Sequence, residues 1–407
     1  MHKIFKTYFS GLILLILAQG TVYSQITTSP YSIFGLGFLE GSSSGPSRAM
    51  GGTSLAFLSK RSINYANPAS YGGIDSLVSI FELGFFSKYT IYSTHLDNQS
   101  LLNANIRYLA MGFRITPWLA TSFGFSPYSS VGYTINTTAP VEGTTLVYPK
   151  TFSGDGGVNR VFLGGSVNLI KNLSVGINAA YLFGNVTHTE SSSVFDYVLQ
   201  DATYVSNLTF NYGLNYQLDI KKWKYNIGLT YASSKKLNTR NVTTIQTAYQ
   251  TEVLKSRQYK FSIPQSIGAG FAMNKGYFKA GVDYEWSNWE QVDFTNTYLS
   301  TRNSNRYSLG VEFPSLGLKK GSGKMIFYRF GGEYRESYMI IKGIPINYRA
   351  VTFGVGLPLK GVVSVINLSL ELGQNGTKNR DLFKESFVTL NLDLSLRDLW
   401  FMKQLYY

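Results

Sequence analysis

The sequence predicts an all-β protein: a transmembrane antiparallel β-barrel of about fourteen strands with an N-terminal plug, or hatch, segment. Three observations carry this prediction. The first is composition. Of 407 residues, 44% are hydrophobic but only 15% are charged, with 30 Tyr, 27 Phe and 40 Gly, whereas an average soluble domain carries about 25% charged residues. A mean hydropathy of −0.04 is too polar for a bundle of membrane helices, each of which needs about 20 consecutive apolar residues. The second observation is period-two alternation from about Ser76 onward. Val388, Leu390, Leu392, Leu394 and Leu396 fall on one face of a strand, with Thr389, Asn391, Asp393, Ser395 and Arg397 on the other. The first set suits lipid and the second a lumen. The third is that the connections alternate between short and long, as they do in barrels with tight periplasmic turns and longer extracellular loops.

Taken in chain order, residues 1–24 read as a signal peptide. His2, Lys3 and Lys6 form a basic head, Gly11–Ala18 an apolar stretch, and Thr21 to Gln25 a small and polar region with predicted cleavage after Ser24. The apolar stretch is too short to span a bilayer. Cleavage takes 37 Lys+Arg to 35 against 23 Asp+Glu, leaving a basic, exported chain of formal charge +12.

Residues 25–75 do not join the alternation. GFLEGSSSGPSRAMGG from Gly37 to Gly52 resists a regular strand or helix, and INYANPASYGG follows from Ile63 to Gly73. The segment has two possible homes, inside the barrel as a plug or in the periplasm as a tail. Ile33, Phe34, Leu36, Phe38, Leu55, Phe57 and Leu58 favour packing inside.

Residues 76–407 form the predicted barrel. Strands start near Leu77, Asn103, Trp118, Val158, Leu173, Tyr204, Tyr225, Tyr259, Tyr277, Tyr307, Met325, Asn347, Val362 and Phe387. The connections expected to be periplasmic are short, as at Thr116-Pro117, Lys171-Asn172 and Asn274 to Gly276, with a longer one at Ser315 to Lys324. Those expected outside are mostly long: Ile135 to Gly157, Thr187 to Thr203, Ser233 to Gln258, Ser287 to Asn305 and Gln374 to Ser386. A soluble sandwich or propeller also alternates, but needs a charged exterior, and here the non-apolar face is mostly Gly, Ser, Thr and Asn.

The signal peptide, the plug-like segment ending in Asn67-Pro68-Ala69 and the fourteen strands resemble the long-chain fatty-acid transporter (FadL) family of outer-membrane proteins. The resemblance implies a hatch-closed barrel that captures a hydrophobic ligand outside. It further implies an apolar pocket and sideways release through a gap at a kink in the third strand. Asn67, Pro68 and Ala69 are the expected hatch element, or a plain turn, which Asn-Pro also initiates. The predicted third strand carries Pro127 in its interior, and proline lacks the N–H that a ladder needs. A bulge at Ser126-Pro127-Tyr128 is therefore expected, eased by Gly124 and Gly132, about 20 Å above the periplasmic turn at ~3.3 Å per residue and ~40° tilt. It is read either as a lateral gate or as a rim bulge without a transport role.

Catalysis finds no support. The chain has 3 His and no Cys, and neither His95 nor His188 neighbours a serine in a nucleophile motif, so both are expected to be exposed loop residues. No cofactor or metal is expected. Lumen-facing Lys279, Asp283, Glu285, Glu312, Arg329, Glu333, Arg335, Glu371 and Asp393 are expected to cross-link the interior. Lys221, Lys222, Lys275, Lys319 and Lys320 form an expected basic periplasmic face for phospholipid headgroups or an acidic partner. The expected partners are outer-membrane lipids, a hydrophobic small-molecule ligand and envelope proteins, not nucleic acid. The sequence thus predicts an outer-membrane transporter of hydrophobic, fatty-acid-like molecules. The alternative is a non-transporting structural or docking subunit of a secretion or barrel-assembly complex. A continuous apolar cavity reaching Pro127 favours the first, and a filled lumen with an apolar patch on a loop favours the second.

Overall fold

The computed structural model describes residues 29–95, 97–292, 299–315, 325–359 and 364–399. The predicted signal peptide, Lys319 and Lys320 lie outside the described residues. Fourteen antiparallel strands form the barrel. In order they are β1 (Val78–Ser93), β2 (Asn98–Thr116), β3 (Leu119–Pro140), β4 (Val147–Ile170), β5 (Leu173–Ser192), β6 (Tyr197–Ile220) and β7 (Trp223–Ala232), then β8 (Ser266–Lys275), β9 (Phe278–Ser287), β10 (Ser304–Pro314), β11 (Phe327–Ile341), β12 (Ile344–Pro358), β13 (Val365–Gly376) and β14 (Lys384–Leu399). Each pairs with its neighbours, and β14 closes the ring on β1 from Lys384↔Ser93 to Leu399↔Val78.

The wall is apolar outside and small or polar inside, the reverse of a soluble domain. Leu163, Val282, Leu309, Val351 and Leu390 are each at least half exposed on the exterior, while Ser166, Asn178, Asn215, Asn226 and Asn391 are buried. An exterior of this kind is stable only against hydrocarbon, and a closed ladder satisfies the backbone there. The chain is an outer-membrane-type β-barrel.

Two-residue turns at Pro117-Trp118, Lys171-Asn172, Lys221-Lys222 and Gly276-Tyr277 mark the periplasmic end. On the other side the structure corrects the sequence reading, because most of the expected loops are strand. β3 and β5 have 22 and 20 residues and β4 and β6 have 24 each, against 10 each for β7, β8 and β9. A 24-residue strand at a tilt near 40° rises about 60 Å, well beyond an apolar band of about 25 Å. The hairpin Lys235–Thr247/Thr251–Ile263 continues this wall by pairing with β6 from Tyr197↔Thr247 to Val205↔Thr239. Tyr259, expected to open a barrel strand, therefore lies in this hairpin outside the ring. The cause is solvent: above the membrane a strand meets water on both faces, so the apolar alternation disappears while the Thr, Val and Tyr content that favours strands remains.

Candidate functional site

The N-terminal segment is built from three short 3-10 turns, Pro30–Ile33, Gly45–Met50 and Pro68–Gly73. Each carries proline in its first turn, where the missing N–H costs nothing. Ser29 and Asn67 cap the first and third by accepting from the N–H of Tyr31 and Ala69. Inward side chains of the wall then take up the segment's backbone groups. Asn67 is wholly buried, and its Nδ2 donates to Leu55 O at 2.7 Å and to Leu214 O of β6 at 3.2 Å. Ser166 and Ser174 Oγ donate to Ala69 O at 3.0 and 2.9 Å. Asp283 Oδ2 of β9 accepts from Ser54 N at 2.6 Å and Leu55 N at 2.9 Å.

The wall approaches this segment through glycines. A Cβ at Gly228 of β7 would overlap the Leu55 carbonyl, and one at Gly331 of β11 would overlap the backbone of Met50 and Gly51. The turn Pro68–Gly73 touches β2 to β6, and Gly45–Met50 touches β10 to β14. Residues from both halves of the ring thus meet the segment. Leu36, Leu55 and Phe57 are buried there.

Charges fill much of the remaining interior. Glu312 accepts from Arg329 Nε at 2.6 Å and from Lys279 Nζ at 2.9 Å, and Arg329 Nη1 also donates to Asn367 Oδ1 at 2.8 Å. Arg306 bridges Glu285 and Glu333, and Arg335 also binds Glu333. Sequence reasoning singled out most of these groups but missed Arg306, Arg107 and Arg160, whose only signal was a charge at an inward position, and Glu40, which lies in the segment outside the alternation. A cavity of about 330 Å³ lies above the segment, with Arg160, Glu285, Arg306 and Arg335 in its walls beside Phe38, Tyr128 and Phe162.

At Pro127 the wall changes. Pro127 pairs with Asn159 and Ser129 with Val158, so Tyr128 is the extra residue of a bulge. Gly124 packs against Leu109 O and Phe162, and Ser126 Oγ accepts from Arg160 at 3.0 and 3.2 Å. Pairing between β2 and β3 runs only from Thr116↔Leu119 to Leu109↔Phe125. Above that point the two strands separate. The β3 edge turns instead to the N-terminal segment: Phe38 and Leu39 pair with Ser130 and Ser129, Glu40 N donates to Tyr128 O at 3.0 Å, and Ser29 N donates to Gly132 O at 3.2 Å. Arg107 of β2 reaches Glu40 at 3.5 Å, and Ser130 Oγ donates to the same carboxylate at 3.1 Å. The wall expected to have no edge therefore has a seam, latched from inside by Glu40.

His188 is not a loop residue. It lies on β5, half-buried, with Nδ1 2.7 Å from Tyr133 Oη; His95 is exposed in the β1–β2 turn. On the periplasmic side Lys221 and Lys222 form the β6–β7 turn, and Lys275 Nζ lies 5.1 Å from the Trp223 ring centroid.

The sequence matches the family model for BamG over residues 4–407. The chain belongs to the BamG family. A search of curated proteins finds no match. Among solved structures, this BamG-family chain resembles the Ralstonia pickettii toluene transporter TbuX, with 15% identity and a TM-score of 0.60, covering 88% of this chain and 99% of that one. It also resembles the P. putida toluene transporter TodX, with 15% identity and a TM-score of 0.59, covering 89% and 100%. A third likeness is to the CymD monoaromatic hydrocarbon channel, with 16% identity and a TM-score of 0.57, covering 88% and 98%. At such identities the likeness is one of fold, and it is the FadL-type barrel that the sequence resembles.

Proposed function

We propose that this BamG-family barrel is a structural or docking subunit of an outer-membrane protein complex, with residues 25–75 as a built-in plug that includes Asn67-Pro68-Ala69. The observation that carries this reading is the occupied interior. The segment's backbone is bonded to Asp283, Ser166 and Ser174, and Arg160, Glu285, Arg306 and Arg335 stand among apolar side chains in the space that remains. An apolar ligand crossing it would have to displace these groups, each of which costs free energy when left unpartnered. The outer wall adds a surface for partners: Leu146, Val194, Phe195 and Tyr249 are all more than half exposed at the tips of adjacent hairpins. An exposed apolar rim above the membrane marks an interaction surface. Lys221, Lys222 and Lys275, with Lys319 and Lys320, would supply a basic periplasmic face for headgroups or an acidic partner.

A second reading, passage of hydrophobic small molecules, is favoured by a specific observation, the bulge at Tyr128 beside the seam. The resembling structures are described as toluene transporters and a monoaromatic hydrocarbon channel. On this reading Gly124, Ser126, Pro127, Tyr128 and Gly132 form a lateral gate, and a fatty-acid-like ligand would leave through it once Glu40 moves.

Native mass spectrometry on protein extracted from its own membrane after cleavage at Ser24 tests the two. A stoichiometric protein partner supports docking. The chain alone, carrying an acyl or aromatic molecule whose retention changes in Pro127→Ala, overturns docking in favour of transport.

A further inference from the structure

Among the described residues, the seam leaves one backbone edge without a ladder partner. β2 pairs with β1 along its length, from Ser93↔Asn98 to Ser79↔Phe113, but with β3 only as far as Leu109. The facing β3 edge is occupied by Ser29 and Phe38 to Glu40. Among the described residues, no backbone hydrogen bond joins the seam side of residues 98–108 to another strand. Ile106 N–H donates only to its neighbour's Asn105 Oδ1, at 2.7 Å, which places that N–H on the seam side. Two buried side-chain atoms on the same stretch, Asn103 Oδ1 and Arg107 Nε, also lack partners.

Leu109 stands eight residues above the turn at Pro117, so the edge begins about 20 Å up, near the top of an apolar band of about 25 Å. Residues 98–108 therefore rise from the top of that band into the water above it, and an open sheet edge is a template for another strand. The stretch alternates like its neighbours. Ser100, Leu102, Ala104 and Ile106 are paired with the outward residues Ile91, Tyr89, Ser87 and Phe85, while Leu101, Asn103 and Arg107 line the interior. Leu102 is 65% exposed. A complementary strand would thus be apolar on its outer side, beside Leu102 and Ile106, and polar on the side of Asn103 and Asn105. A second copy of this chain is a poor match. Two copies in one membrane share their orientation, so their β2 edges would meet parallel, the weaker ladder.

We propose that the upper edge of β2, residues 98–108, docks an extended, amphipathic strand of a different polypeptide by β-sheet addition. This rests on the docking reading and names the place and chemistry of the contact. Main-chain hydrogen bonds would give affinity and the alternating side chains would give register.

The test uses the full chain in its native membrane, with a photoreactive residue at Leu102 and, as control, at Tyr204, which is exposed at a similar height but lies on the doubly paired β6. The expected result is a single foreign polypeptide adduct at Leu102 and none at Tyr204, together with slowed amide exchange over residues 98–108 relative to the purified chain. Ala104→Pro removes an N–H two residues from that of Ile106 and so on the same edge, and should lower partner recovery by about tenfold while the barrel still folds. Should that variant fail to fold, Ile106→Lys, which puts a charge on the exposed outer side of the same edge, blocks strand addition without touching the ladder to β1. The same loss of partner is expected. Lipid-only adducts, a self-adduct, or a partner retained fully by these variants overturns the proposal. In the last case docking itself stands, whereas absence of any partner from the wild type overturns both.

Discussion

Asp283 is the sharpest handle on the interior. Its Oδ2 accepts from two consecutive backbone N–H groups of the N-terminal segment, at 2.6 and 2.9 Å, and the residue is 6% exposed. Hydrogen bonds to a charged group contribute about 1.5–3 kcal/mol each, so Asp283→Ala removes about 3–6 kcal/mol of attachment and strands two donors. Oδ1 has no partner, so relief of that buried charge offsets part of the loss and leaves about 2–4 kcal/mol. Asp283→Asn keeps one acceptor oxygen and should lose about 1 kcal/mol. The assay is maleimide labelling of a single cysteine placed at Ala56, which is 1% exposed in a chain with no other cysteine. Release of the segment in Asp283→Ala should raise the labelling rate about 30- to 1000-fold, with Asp283→Asn much closer to wild type. If Asp283→Ala labels at the wild-type rate and melts at the wild-type temperature, this carboxylate does not hold the segment and the reasoning fails.

Gly331→Val should destabilise the barrel by at least about 1–3 kcal/mol in thermal unfolding, because its Cβ overlaps the Met50 and Gly51 backbone. Gly332→Ala, whose nearest neighbour is Ala350 O at 3.6 Å, should stay within about 0.5 kcal/mol of wild type in the same scan. Arg329→Met leaves Glu312 with Lys279 as its remaining partner and should cost about 1.5–3 kcal/mol in urea unfolding, with Arg329→Met/Glu312→Gln recovering part of it. Lys221→Glu/Lys222→Glu should weaken sedimentation with anionic vesicles by about 1 kcal/mol per charge, an effect that disappears at high salt.

The barrel was legible in the sequence because lipid forces the pattern. Val388 to Leu396 can face hydrocarbon only if every second residue is apolar, so the strand count emerged from period two alone. Pro127 was legible for a different reason, since a residue without an N–H cannot sit silently in a ladder. What lay hidden was everything that period two does not encode. The upper halves of β3 to β6 are wetted on both faces and read as loops. Gly228 and Gly331 look like any glycines in a strand, and their purpose appears only when the Leu55 and Met50 backbones lie against them. Glu40 and Arg107 stand 67 positions apart, and nothing in either neighbourhood announces that they meet across a seam.

The two inner turns are shared between the halves of the ring. Pro68–Gly73 leans on the early strands β2 to β6, while Gly45–Met50 leans on the late strands β10 to β14. The ring closes only when the last strand meets the first. Held by early strands through one turn and by late strands through the other, the segment ties the two halves of the wall together, as a mandrel ties the turns of a coil wound on it.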